Sequence, residues 1–244
     1  SISASSIYYV SSSGSDSASG SESNPFKTIN YAHQIAKDDD TIIILDEGIV
    51  LDETNNDAPF IIDKRLTFQG KYQNANLIVR AGGILLGADV TFKDMTIGTS
   101  GFLRPGIAAN GHHLVLNNVS QNNTLRPLQI YGGTFANYNG EVYGQNVCGD
   151  LSTIEINDGN YDALYAGSIN TTNTIPVQMK ITKTNSLSLP SIYIASTFKN
   201  PLDTSSAGQI PIIADTILTN QVDIQLNNAT VRTIAGIHED NHIS

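Results

Sequence analysis

Residues 66–70 read Leu-Thr-Phe-Gln-Gly, residues 90–94 read Val-Thr-Phe-Lys-Asp, and residues 114–118 read Leu-Val-Leu-Asn-Asn. These three apolar-polar-apolar segments begin 24 residues apart, twice over. Alternation at period two marks a strand with one buried side. A step this long does not fit a hairpin, whose loop takes about 2–5 residues. A second set begins at Leu128, Ile154 and Met179, in steps of 26 and 25, and reads LQIYGGTF, IEINDGNY and MKITKTNS. The first two members are followed by VYG and LYAG, and SIYIAS follows the third. Short strands recurring at a period between about 20 and 50 residues point to a solenoid. A coil of ~24 residues holds three short strands and three turns, one circuit of a parallel β-helix whose coils hydrogen-bond to their neighbours.

The residues at the strand ends suit such corners. Gly70, Asn117-Asn118, Gly132-Gly133, Asp158-Gly159 and Asn227-Asn228 are types that tolerate φ > 0. The competing architecture is a β-sandwich or barrel. The strand pairs lack two-residue hairpin signals, and the recurring step is a coil long, which favours the solenoid. Length divided by period gives about eight to nine coils.

An open solenoid end exposes unpaired backbone and core, so a cap is needed. Thr28 is a suitable N-cap, and Ile29, Ala32, Ile35 and Ala36 recur at helical spacing before Asp38-Asp39-Asp40 ends the pattern. This predicts a capping helix over 28–37, with Ile29 and Ile35 over the first coil. The Ser-rich stretch SSSGSDSASGSESN, residues 11–24, reads as a long ordered loop, with disorder as the alternative. Tyr9-Val10, Gly14, Asp16, Gly20, Pro25-Phe26-Lys27-Thr28-Ile29, Ala32 and Asp40-Thr41-Ile42 occur in that order. The stretch resembles the N-terminal signature of right-handed parallel β-helix proteins of the pectate-lyase-like superfold. The resemblance covers about 40 residues and implies an all-β, right-handed parallel β-helix with an N-terminal capping α-helix. We read residues 1–244 as one domain: strand, loop and helix to 40, coils over 41–237, and a tail at 238–244. The superfold includes polysaccharide lyases, glycoside hydrolases, phage tailspikes and non-catalytic domains of bacterial and archaeal surface adhesins, so the fold alone does not choose a function.

Thirteen basic and 23 acidic residues give a formal charge of −10. That balance repels phosphate backbones and anionic lipid, which argues against nucleic acid and membrane surfaces as partners. No stretch approaches the roughly 20 apolar residues of a spanning helix. The opening SISASSIYYV lacks the basic start and apolar core of a secretory leader, so the chain reads as mature or trimmed. The single Cys148 cannot form an internal disulfide and reads as a small buried hydrophobe.

HEDNH at 238–242 matches the H-E-x-x-H zinc pattern, which requires a helix and a third ligand downstream. Only two residues follow His242, and Asp240-Asn241 are poor helix-interior residues, so the match reads as coincidence and no metal or cofactor is expected. His112-His113 adjoin a strand, where neighbours face opposite sides. In the aligned repeats Lys93 shares a column with Gln69 and Asn117, Asp94 shares one with Gly70 and Asn118, and Asp158 shares one with Gly132 and Lys183. No carboxylate column emerges, so Lys93-Asp94 and Asp63-Lys64-Arg65 read as surface turns and Asp38-Asp39-Asp40 as a solvated helix end.

Ten tyrosines accompany no tryptophan. Tyr131, Tyr138, Tyr143, Tyr161 and Tyr165 concentrate mid-chain, where exposed rings would stack sugars; an internal ring stack is the alternative. Alternation turns Leu128 and Ile130 inward and so puts Tyr131 outside. The expectation is a non-catalytic extracellular or cell-surface domain, adhesin-like and monomeric in isolation, that binds a polysaccharide or host glycan, or else a protein surface. A lyase or hydrolase on the same fold is the alternative.

Overall fold

The computed structural model describes residues 4–47, 49–50, 58–79, 82–99, 106–122, 128–134, 141–160, 163–168, 175–183, 191–193, 197–198, 212–213, 222–229, 234–235 and 242–243. The described strands are almost all parallel and stack as the coils of a β-helix. A long face runs through Ile7–Val10, Thr41–Ile44, Leu66–Gly70, Val90–Thr99, His113–Gln121, Ser152–Asn157, Val177–Thr182, Val222–Asn227 and His242–Ile243, in that spatial order. A short face, mostly of three-residue strands, runs through Phe60–Ile62, Ile84–Leu86, Gly106–Ala108, Gln129–Tyr131, Ala163–Tyr165, Ser191–Tyr193 and Ile234–Ala235. Ile49–Val50 and Asn76–Val79 pair beside the distal half of Val90–Thr99 and begin a third face. Parallel connections of this kind are right-handed for the reason that governs all such crossovers, the strand's own twist. Thr197–Phe198 and Ile212–Ile213 form an antiparallel pair apart from the stack.

The repeat at 66, 90 and 114 is the register of the long face: Leu66 lies beside Val90, and Val90 beside Leu114. Inward residues are buried in a continuous ladder that includes stacked Phe68 and Phe92, 5.3 Å between centroids. The second set needs a correction. Ile154 and Met179 stack on Leu114 in the same ladder, but the Leu128 segment lies in the short face beside Gly106–Ala108 and Ala163–Tyr165. Asp158 therefore follows Asn118 and precedes Lys183 along the stack, and Gly132 is not in that column. The coil from Leu114 to Ile154 spans 40 residues, because it carries an excursion that returns at Ser152.

The bend out of the long face is made by left-handed residues, Asp94 (φ 54°), Asn118 (φ 54°), Asp158 (φ 58°) and Asn228 (φ 51°). Asn and Asp visit this region because their side chains bond locally. Asn118 Nδ2 donates to Asp94 Oδ1 at 3.2 Å and Asn228 Nδ2 to the Lys183 carbonyl at 2.9 Å, so the corner side chains also bond along the stack. Lys183 takes the same corner place with its residue buried, and its ammonium donates to the Gly159 carbonyl and to Asn160 Oδ1. Burial pushes its pKa down, against the pull of Asp158.

The cap is a helix, Ile29–Ile35, with the Thr28 hydroxyl accepting from Tyr31 N at 3.1 Å. Ile29, Ala32 and Ala36 are buried, but Ile35 is 37% exposed. Expecting Ile35 over the core was an error: the helix ends there and Ala36 is already extended. The Ser-rich stretch is an ordered loop. Asp16 accepts from the amides of Lys27 and Thr28, both at 3.0 Å, which ties the loop to the helix start. The loop also covers the free edge of the first strand, since Tyr9 N donates to the Gly20 carbonyl and Ser11 N to the Phe26 carbonyl. Unpaired strand edges invite misassociation, and this cover removes one. Asp38-Asp39-Asp40 is not simply solvated: Asp38 accepts from Arg65 N, Asp39 pairs with the Arg65 guanidinium at 2.6 Å, and buried Asp40 accepts from Ser6 N and Lys37 N. Lys64 donates to the His33 and Gln34 carbonyls, and Asp63 lies 3.2 Å from His33 Nε2. Asp63-Lys64-Arg65 thus clamps the cap helix to the next coil.

Candidate functional site

The short face alternates like any strand set, but both of its sides are buried. Phe60, Ile84, Ile107, Ile130, Leu164 and Ile192 form one in-register row along the interior of the β-helix. Ile61, Leu85, Ala108, Tyr131, Tyr165 and Tyr193 form the outward row, and they belong to a second apolar cluster outside the β-helix core. Tyr131 and Tyr165 stack at 4.9 Å between centroids, and Tyr165 and Tyr193 at 5.1 Å. Outward placement of Tyr131 follows from alternation, yet the ring is 1% exposed and Tyr165 is 2% exposed. Neither ring presents a free face to a sugar, and their assignment to an exposed row is corrected here. Tyr143 is partly buried against the same cluster. Tyr138 and Tyr161 lie outside the described residues.

The excursion within the 40-residue coil covers the outward row at Leu85, and its Tyr143 packs against the same cluster. Gly144, in the left-handed region at φ 71°, lies so close to Leu85 that a Cβ there would collide with Cδ2. Asn110 Nδ2 donates to the carbonyls of Leu86 and Gly144, Gly149 N donates to the Asn110 carbonyl, and His112 Nε2 lies 2.5 Å from the Val147 carbonyl. This arm folds back over two earlier coils. Cys148 sits on it and is exposed, contrary to the buried-hydrophobe expectation.

The outward side of the long face is different. Its strand register lines up three rows of side chains. One is Arg65, Asp89, His113, Thr153 and Gln178, with Arg65 and Asp89 standing one residue ahead of the paired Leu66 and Val90. The next is Thr41, Thr67, Thr91, Val115, Glu155 and Lys180, and the third is Tyr9, Ile43, Gln69, Lys93, Asn117, Asn157 and Thr182. Lys93 is therefore in the column the sequence placed it in. A shallow groove of about 290 Å³ crosses the first two rows, lined by Asp39, Arg65, Thr67, Asp89, Thr91, His113 and Val115.

The carboxylates around this groove lie beside a cation or an imidazole. Arg65 holds the Asp39 carboxyl below the usual carboxylate range, chiefly through their hydrogen bonds. Asp89 accepts from His113 N at 2.8 Å and lies 3.9 Å from His112 Nδ1, while Glu155 Oε2 lies 3.4 Å from His113 Nε2. Asp89 and Glu155 therefore flank His113, two coils apart. The sequence reading missed this arrangement because the period breaks between 114 and 154. The signal that would have repaired it is the recurring Tyr triplet, QIY at 129–131, ALY at 163–165 and SIY at 191–193, which marks the short face separately.

His242 of the HEDNH motif lies in a strand, paired with Asp223. The helical arrangement that zinc would need is not present at that end of the motif, and His242–Ile243 adds a strand to the long face where a tail was expected. No described helix is long and apolar enough to cross a membrane. No curated protein and no solved structure gives a significant match to the chain. Residues 12–237 match the family model described as "Protein of unknown function (DUF1565)"; the chain belongs to this family of parallel β-helix proteins.

Proposed function

We propose that this chain is a non-catalytic, adhesin-like domain of the cell surface or extracellular space that holds a glycan along the outward long face. The observation that carries this reading is the set of in-register rows of hydroxyl and amide side chains, Thr41-Thr67-Thr91 and Gln69-Lys93-Asn117-Asn157, open beside a shallow groove. Strands repeat every ~4.8 Å, so these rows offer evenly spaced donors and acceptors to an extended chain of hydroxyls. Binding needs no activated group, and the carboxylates beside the groove are already engaged by Arg65, His112 and His113.

One observation favours a second reading, hydrolysis. Asp89 and Glu155 stand on either side of His113, two coils apart and in adjacent rows, and a carboxylate pair across a groove is the equipment of a glycosidase. A panel of pectins, alginates, glycosaminoglycans and neutral glycans, with and without calcium, separates the two. The expected result is saturable binding, weakened by Gln69→Ala with Asn117→Ala, and no new reducing ends or unsaturated uronates. Turnover lost in Asp89→Asn or Glu155→Gln would establish the second reading. Binding to no member of the panel would refute both.

A further inference from the structure

If sugars lie along the long face, an aromatic ring should be found where that face is open, and the mid-chain tyrosines do not supply it. At the N-terminal end of the same face three segments far apart in sequence meet. Tyr9 heads the Ile43-Gln69-Lys93 row. Lys71 follows the Leu66–Gly70 strand directly and is fixed by its amide donating to the Ile44 carbonyl at 3.0 Å. Tyr72 is next along the chain and 53% exposed. The Lys71 ammonium lies 5.9 Å from the centre of the Tyr9 ring and 5.8 Å from that of Tyr72, and it is ion-paired with Glu22 of the Ser-rich loop.

We infer that Tyr9, Tyr72, Lys71 and Glu22 form a subsite for one neutral pyranose unit of a glycan. The inference rests on the glycan-binding reading above and gives it a location and a ligand class. A pyranose presents an apolar patch of C–H bonds on its face and hydroxyls around its rim. A tyrosine ring matches the first, being large, rigid and amphipathic. The second needs an acceptor and a donor at the ring's edge, which the Glu22 carboxylate and the Lys71 ammonium provide. Because these two charges cancel, the subsite has no local attraction for an anion, and the chain's net charge of −10 disfavours an anionic ring further. Cation–π contact alone would account for the placement of Lys71, but it leaves the exposed surface of the Tyr72 ring unused. A glycan stacked here and running from coil to coil would pass from Tyr9 along the Gln69 row toward the groove.

The test uses protein carrying ¹³C-labelled tyrosine, titrated in turn with maltohexaose, cellohexaose, xylohexaose, mannohexaose and chitohexaose. Ring signals of Tyr72 and Tyr9, assigned by their loss in Tyr72→Ala and Tyr9→Phe, should shift saturably with at least one of the five, while those of Tyr131 and Tyr165 stay fixed. Tyr72→Ala should weaken that binding about tenfold, the effect of one lost aromatic contact, with an unchanged circular dichroism spectrum. Glu22→Gln, which leaves the ammonium without its counter-ion, should weaken it too. Titrations that move neither Tyr72 nor Tyr9 overturn the subsite, as does binding that survives Tyr72→Ala intact. In either case amide shifts at Gln69 and Asn117 in a ¹⁵N-labelled sample would leave the broader glycan-binding reading standing, and their absence with every member of the wider panel would remove it as well.

Discussion

The short face and the long face of this solenoid are built by the same alternation, yet their outward sides have opposite fates. On the short face the outward row Leu85, Ala108, Tyr131 and Tyr165 is a second core. On the long face the outward rows carry Thr67, Gln69, Thr91, Lys93 and Asn117, all only partly buried. Facing outward in a β-helix does not decide exposure. Part of the cover is one excursion, anchored at Gly144 and Gly149 and held by Asn110 and His112, that meets the short face at Leu85. Composition follows burial: rings and aliphatics on the covered outward side, hydroxyls and amides on the open one.

The sharpest way to break this contrast is to remove a ring from the covered row. Tyr165→Ala deletes the middle of the Tyr131-Tyr165-Tyr193 stack and leaves a cavity in the outer cluster, which should cost about 3–5 kcal/mol, as large-to-small aromatic substitutions do in cores. Chemical denaturation should report it as a lowered midpoint. If the midpoint holds, the ladder is not a core.

Loosening the cover is the next largest intervention. Gly144→Ala puts a Cβ against Leu85 in a left-handed conformation that alanine resists, at a cost of about 1–3 kcal/mol. Acrylamide should then quench tyrosine fluorescence more strongly than in the parent, because Tyr131 and Tyr143 gain access to solvent. Unchanged quenching would mean the arm is not the cover.

A smaller effect concerns where the cap meets the short face. His33 packs edge-on against Phe60, 5.3 Å between centroids, and faces Asp63 and Lys64. Burial lowers its pKa below 6.5, with Asp63 opposing and Lys64 assisting. The unfolded chain therefore binds the proton more readily. The contribution of a neutral His33 is whole above pH 6.5 and is lost as pH falls from there through the lowered folded value. The stability gap between the parent and His33→Gln should shift in the parent's disfavour on acidification across that window, as read by thermal melts at a series of pH values. A gap constant with pH would show that His33 does not titrate on unfolding.

The smallest expected effect falls on the open side. Gln69→Ala with Asn117→Ala touches side chains that pack against no core, and should change stability by no more than ~0.5 kcal/mol per site. A loss comparable to that of Tyr165→Ala would erase the distinction between the faces.

Wherever coils were equal in length, the stack could be read directly from the chain. The 24-residue steps placed Gln69, Lys93 and Asn117 in one row, and Thr28 and Ile29 were recognised as cap and core. The 40-residue coil defeated the same reasoning. Counting by period put Leu128 in the ladder of Ile154, and so hid Glu155 from Val115 and from His113. The tyrosines were half legible, since alternation gave the side of the sheet but carried no information about what lay above it.

The sequence by itself determined that this chain is a parallel β-helix with an N-terminal cap, because strand alternation, corner residues and coil length are local properties that repeat. Only the tertiary structure decided which outward surface is a core and which is open. That choice rests on Gly144 meeting Leu85, Asn110 meeting Gly144 and Lys71 meeting Tyr9, contacts between residues 34 to 62 positions apart, which no local pattern encodes and which form only when the coils have stacked.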